Sequence, residues 1–234
     1  MEDRKAQLRE EFNEWADAGR GEGMRKGHWD MTVQTIEKME LAGDETVLDL
    51  GCGNGWAVRE MAKLLPDGKA LGIDISEKMI EEAREKSENT DNIEFYVASA
   101  DELPFDDNSV HHILSAESFY YYPELEPVVE ELHRILTSGG TVWCLVDLYK
   151  ENRYSMTWPE KLDVPVHALG EPEYREVFEQ GGFKITGQER VVDRRPIDEE
   201  RFKPGWGTPT FKDYKEYKSL GSLLTVARKT FSES

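Results

Sequence analysis

Cysteine is scarce in this chain of 234 residues: there are two, Cys52 and Cys144, and their spacing is not that of a disulfide framework. A reducing, cytoplasmic setting is the default that this implies. Long apolar runs are missing as well. No uncharged stretch approaches the ~20 residues that cross a bilayer, and the opening Met1-Glu2-Asp3-Arg4-Lys5-Ala6-Gln7 has no apolar signal core. Neither membrane insertion nor export is expected. Positive charge is the third shortage, with 29 Lys and Arg against 48 Asp and Glu and a net charge of −19. A protein that gathers nucleic acid or anionic lipid through its general field needs the opposite sign. Because Lys is as frequent as Arg, the acidity reads as a solubility trait rather than adaptation to a salt-rich cytoplasm.

What is present is an alternation of short β-like runs with helical patterns, the signature of a parallel sheet wrapped by helices. Runs are expected at Thr46–Leu50, Ala70–Ile75, Ile93–Val97, Val110–Ser115 and Thr141–Val146. Helices fit Trp56–Leu65, Glu77–Lys86 behind the N-cap Ser76, and Leu125–Leu136, the last ended by Ser138-Gly139-Gly140. Two later runs, Phe183–Val192 and Ser222–Ala227, bring the count to seven, after a helical segment near Glu173–Gln180. The stretch Asp193–Lys218 between those runs is expected to be a loop or small insertion. Residues 1–40 form a helical preface broken at Gly19-Arg20-Gly21-Glu22-Gly23. The length suits one domain over 1–234.

Chemistry first shows at Asp49-Leu50-Gly51-Cys52-Gly53-Asn54-Gly55, where a strand runs into a glycine turn. Glycines there let a ligand approach the backbone, and the next helix offers free amides. A phosphate-cradling loop needs Gly-Lys followed by Ser or Thr, which is absent. A dinucleotide fingerprint needs a third glycine, but Trp56 or Val58 stands in its place. A carboxylate two residues before the first glycine would repel a pyrophosphate and favour a cation, directly or through water. S-adenosylmethionine carries an ammonium and a sulfonium and no phosphate, so the turn prefers it.

Val47–Gly55 resembles the first motif of the class I S-adenosylmethionine-dependent methyltransferases, and the resemblance extends over Thr46–Val146. It implies a Rossmann-like α/β fold, with a seven-stranded mostly parallel sheet, helices on both faces and the last strand antiparallel. It also implies S-adenosylmethionine as cofactor, held around Asp49, Gly51, Cys52 and Gly53. Asp74, 25 residues after Asp49, matches the acidic residue that accepts from both ribose hydroxyls. Asp101 and the Ala100 amide match the adenine-holding segment, Ser115 the position beside the methionine part, and Ile75 and Met79 the apolar contacts of the adenosine. Within the class the chain is similar to the small-molecule branch that includes the ubiquinone and menaquinone biosynthesis methyltransferases. Those often carry His-His before Pro after the fourth strand, where this chain reads Phe119-Tyr120-Tyr121-Tyr122-Pro123.

The acceptor side is less determined. Tyr120 and Tyr121 are candidates for the acceptor wall or for the core beneath it. Trp15, the Gly19–Gly23 loop, Met24, His28 and Trp29 are candidates for a mobile cover, with His28 as a base or substrate contact. His111 and His112 alternate faces of a strand, His133 falls on a helix and His167 in a loop, so spacing supplies no metal-ligand set and no metal is expected. The insertion holds 7 basic and 6 acidic residues, and its aromatics Phe202, Trp206, Phe211, Tyr214 and Tyr217 offer an acceptor wall, a homodimer contact or surface packing. Methyl transfer to a small-molecule acceptor, without nucleic acid as partner, is the expected activity. An NAD(P)-dependent oxidoreductase and a catalytically silent cofactor-binding protein are the alternatives.

Overall fold

The computed structural model describes residues 2–230. Two helices come first, α1 over Glu2–Asp17 and α2 over Arg20–Lys38. The glycines interrupt them less than their clustering suggests. Ala18 and Gly19 form the break, whereas Gly21 and Gly23 lie inside α2. Then follow β1 (Thr46–Leu50), α3 (Trp56–Ala62), β2 (Lys69–Asp74), α4 (Glu77–Glu85), β3 (Ile93–Val97), β4 (Val110–Ala116) and α5 (Leu125–Ile135). The remainder is β5 (Leu136–Val146), α6 (Glu171–Gln180), β6 (Phe183–Val191), α7 (Phe211–Leu220) and β7 (Ser222–Lys229).

All seven strands join one sheet in the order β3-β2-β1-β4-β5-β7-β6. The first five are parallel, and β7 runs antiparallel between β5 and β6. Because side chains alternate along a strand, each strand feeds both faces. Leu48, Leu50, Leu71, Ile73 and Ile113 pack with α5 and α6 through Val128, Leu132, Tyr174 and Phe178. Val47, Ala70 and Leu114 pack on the other face with Ile36 of α2, Val58 and Met61 of α3, and Ile80 of α4. Helices therefore cover both faces of the sheet.

Two expected boundaries are corrected. Strand β5 begins at Leu136, directly after α5, and Gly139 and Gly140 lie within it where its register against β4 shifts. These glycines serve a strand irregularity rather than a helix stop. The Asp193–Lys218 insertion is not all loop, since its last third belongs to α7, opened by a capping box between Thr210 and Asp213. Strand order reverses between β1 and β4, which lie side by side, so a crevice opens at their carboxyl ends.

Candidate active site

At the end of β1 the chain turns at once. The amides of Gly51 and Cys52 both donate to Ile73 O, at 2.9 and 2.8 Å, which bends the turn over the end of β2. Gly51 adopts φ 76°, and a Cβ there would stand 2.5 Å from the Cβ of Ser118, so no side chain fits. Ser118 in turn donates to Leu50 O (2.6 Å) and shares a bond with Ser115 (2.8 Å), joining the ends of β1 and β4.

Asp74 fixes the far side of the turn. One carboxylate oxygen accepts from the Gly53 amide and the other from the Ser76 amide, both at 2.9 Å. Burial pushes its pKa up, opposed by those two amides. Ser76 caps α4 by accepting from the Met79 amide at 3.1 Å. Asp49 lies beneath, 3% exposed, and burial followed by the charge of Asp74 pushes its pKa up to about 8.

These segments line a cavity of about 1000 Å³, mouth included. Gly51, Cys52, Gly53, Asp74, Ile75 and Met79 reach it, as does Ala100. Three expected cofactor residues stand back from its wall. Asp49 is buried below the turn, Ser115 is fully buried behind Ser118, and Asp101 is bound by Lys5 at 2.6 Å and by Ser99. Burial acts against ionisation of Asp101, but the hydrogen bonds from Lys5 and Ser99 hold its pKa below the ordinary value.

Helices α1 and α2 roof the cavity through Leu8, Phe12, Trp15, Met24 and His28. Trp29 is not in that roof and packs on Trp56, with ring centroids 5.4 Å apart. The roof is tied to the cofactor side by polar contacts. Asn13 accepts from the Ser76 hydroxyl (2.6 Å) and donates to Glu77 (3.2 Å), while Arg4 donates to Pro123 O (2.9 Å).

The tyrosine pair divides its work. Tyr121 lines the cavity and meets Phe12 edge-on at 5.1 Å. Tyr120 is 2% exposed, does not reach the cavity, and donates to Glu117 at 3.0 Å. Of the insertion's five aromatics none lines the cavity, and Trp206 is half exposed. Tyr217 still bears on the site, because it donates at 2.5 Å to Asp147 Oδ2.

Asp147 belongs to a group that spacing did not reveal. His28 Nδ1 lies 3.8 Å from Glu117 Oε1 and 3.6 Å from Asp147 Oδ2. The residues come from α2, the end of β4 and the end of β5, far apart in the chain. A lone carboxylate directly after each apolar strand run was the only sequence signal. Burial pushes the Glu117 pKa well up, with Asp147 adding to the rise, and burial lowers that of His28 against the pull of Asp147.

The charge of the lining is one-sided. Asp74 and Glu117 face the cavity, and no Lys or Arg does, among the described residues. Such a lining suits a cationic ligand without phosphate.

Comparison with known proteins agrees. A family model described as a methyltransferase domain matches residues 47–140. A demethylmenaquinone methyltransferase of Staphylococcus aureus is 30% identical over 180 residues, covering 72% of this chain and 72% of the relative. A putative methyltransferase solved in complex with the Haloferax volcanii Trm112 methyltransferase activator is 35% identical, covers 94% of this chain and 98% of its own, and superposes with a TM-score of 0.87.

The chain belongs to the class I S-adenosylmethionine-dependent methyltransferases. Its cofactor is S-adenosylmethionine, and it resembles the quinone-biosynthesis enzymes of the class. The fold extends to a geranyl diphosphate C-methyltransferase of Streptomyces coelicolor, solved with Mg²⁺, a geranyl thiolodiphosphate and S-adenosylhomocysteine. That likeness has a TM-score of 0.68 over 85% of this methyltransferase and 75% of the other chain, and at 14% identity it speaks for the fold alone. Among the described residues no helix is long and apolar enough to cross a membrane.

Proposed function

We propose that this methyltransferase acts on a small-molecule acceptor bound in the same roofed cavity as the cofactor, the chain working as one catalytic unit. The observation that carries the reading is the cavity itself, a chamber closed over by α1 and α2 with carboxylates and aromatics in its wall. A macromolecular acceptor would favour an open groove. The likeness to a demethylmenaquinone methyltransferase supports the same class of acceptor.

When bound, S-adenosylmethionine supplies a methyl group on a positively charged sulfur, open to displacement along the line of the C–S bond. The chain's task is alignment, which contributes ~7–11 kcal/mol in well-oriented reactions. Asp74 holds the ribose diol, since each oxygen that accepts a backbone amide retains a lone pair. The glycine turn admits the methionine part against bare backbone. Ile75, Met79 and Ala100 hold the adenosine, with Asp101 behind. Asp49 and Ser115 position the turn from below rather than touch the ligand. Trp15, Met24 and His28 exclude water from above, and Tyr121 forms the acceptor wall. Because a relative was solved with a Trm112 activator, an activator of that kind is the protein partner we infer.

Calorimetry decides the cofactor roles. S-adenosylhomocysteine is expected to bind and NADH not to, with Asp74→Ala weakening the former at least tenfold; binding of NADH alone, or an unchanged affinity in D74A, would overturn the assignment. Transfer of a labelled methyl group to a panel of metabolites, run with and without a Trm112-type activator, tests the acceptor class. Labelling confined to protein or RNA would refute it.

A further inference from the structure

We propose that His28, Glu117 and Asp147 form a binding site for one divalent cation of the Mn²⁺ or Zn²⁺ kind at the edge of the cavity, where His28 and Glu117 line its wall and Asp147 stands behind them. The two carboxylates arrive there by topology. Ala116 of β4 pairs with Leu145 of β5, so Glu117 and Asp147 leave the ends of two neighbouring parallel strands side by side. Helix α2 brings His28 over them, and one donor atom from each residue lies within 4.8 Å of the other two.

Two of those atoms are orphans. Glu117 is 6% exposed, and its Oε1 has no hydrogen-bond partner among the described residues; neither has His28 Nδ1. Both are buried, and both face the same point. Buried polar atoms are nearly always satisfied, so a convergent unsatisfied pair calls for an additional partner. A proton shared between them would have to bridge 3.8 Å, longer than a hydrogen bond. A cation serves both, together with Asp147 Oδ2.

The remaining bonds look like the support of such a site. Glu117 turns its other oxygen to the Tyr120 hydroxyl at 3.0 Å. Asp147 accepts from Ser222 on Oδ1 and from Tyr217 on Oδ2 at 2.5 Å, which fixes the plane of its carboxylate and leaves Oδ2 a second lone pair for the ion. Neither carboxylate makes an ion pair with a Lys or Arg among the described residues; Lys218 and Arg195 come near enough to act on His28, but both are held by Asp193 at 2.7 Å. Ligand atoms ~2.0–2.2 Å from an ion lie ~3–3.5 Å apart. The distances of 3.6 and 3.8 Å from His28 are therefore close to a loaded geometry. One imidazole nitrogen with two carboxylate oxygens favours Mn²⁺ or Zn²⁺ over Ca²⁺, which takes six to eight oxygens.

Three protein ligands leave coordination positions open, and His28 and Glu117 both line the cavity. An acceptor that presents an oxygen, such as a hydroxyl or enol, is the ligand class that fits there. That last step rests on the reading of the cavity as the place of methyl transfer; the cation site itself does not.

The test uses the full chain, treated with EDTA and dialysed, then titrated with MnCl₂ and separately with ZnCl₂ by calorimetry, with Mn²⁺ electron paramagnetic resonance as a second readout. One ion per chain is expected, with affinity at least tenfold weaker in Glu117→Gln and in His28→Ala. Thermal unfolding serves as the fold control, and a variant that fails it leaves the decision to the other. No saturable binding of either ion at 1 mM, or wild-type affinity in the folded variants, overturns the proposal. S-adenosylhomocysteine binding to the EDTA-treated chain is measured in parallel, so that a failed cofactor assignment is told apart from a failed cation site.

Discussion

Asp49 carries the chain's signature into an environment where it does not readily ionise. Burial and the neighbouring charge of Asp74 push its pKa up to about 8, so at neutral pH the folded chain holds a proton that the unfolded chain has released. The sign follows from linkage: between about pH 4 and 8 the folded state binds more protons, so the stability from this group is full below the ordinary carboxylate range and is lost as pH rises through about 8. Asp49→Asn removes the titration while keeping the shape. In urea unfolding, the wild type is expected to lose stability between pH 5 and 8 more steeply than D49N, and parallel curves would show that Asp49 ionises normally. At this scale the sequence was readable where spacing carries meaning, as with Asp49 and Asp74 on either side of one turn. Spacing did not gather His28, Glu117 and Asp147, because their meeting depends on how β4, β5 and α2 pack.

Helix α2 behaves as an element that leans on its neighbours. It contains Gly21, Gly23 and Gly27, and a helix-interior glycine costs about 0.5–1 kcal/mol relative to alanine. The three differ in what surrounds them. A Cβ at Gly23 meets nothing within 4 Å, whereas one at Gly21 stands 2.6 Å from Asn54 Nδ2 in the glycine turn. Gly23→Ala is therefore expected to stabilise the chain by about 0.5–1 kcal/mol. Gly21→Ala is expected to destabilise it relative to G23A and to weaken S-adenosylhomocysteine binding, since Asn54 must move. Chemical unfolding and calorimetry on the pair check this, and equal effects would remove the contact between roof and turn. Elements with a plain period were legible, including the first three strands. The start of β5 was not, because Gly139-Gly140 reads locally as a stop while the pairing with β4 carries the strand through it. Helix α7 did leave a trace, Thr210-Phe211-Lys212-Asp213, which is a capping box hidden among Pro and Gly.

Over the whole molecule the net charge of −19 weighs against compactness. Exposed ion pairs such as Lys69–Glu94 and Lys63–Glu60 each return ~0–1 kcal/mol, and salt weakens them. The acidic surplus acts over longer distances and is screened as the Debye length falls from ~10 Å at 0.1 M to ~3 Å at 1 M salt. With a surplus of this size self-repulsion is expected to outweigh the pairs, so the melting temperature should rise when KCl is raised from 0.1 to 1 M. A fall over that range would mean that attractive pairs dominate. The sequence showed the size of this surplus but not its distribution, in which the cavity wall has carboxylates and, among the described residues, no Lys or Arg.

The roof has a further consequence for how long the molecule survives. A glycine-weakened helix and its companion α1 hold together chiefly through the surface they cover, and that surface includes the walls of the cofactor cavity. A ligand that binds the folded chain stabilises it, so occupancy of the cavity and protection of these helices are expected to rise together. Limited proteolysis within α1 and α2 is therefore expected to slow when S-adenosylhomocysteine is bound, and an equal rate with and without it would show that the roof does not depend on the ligand.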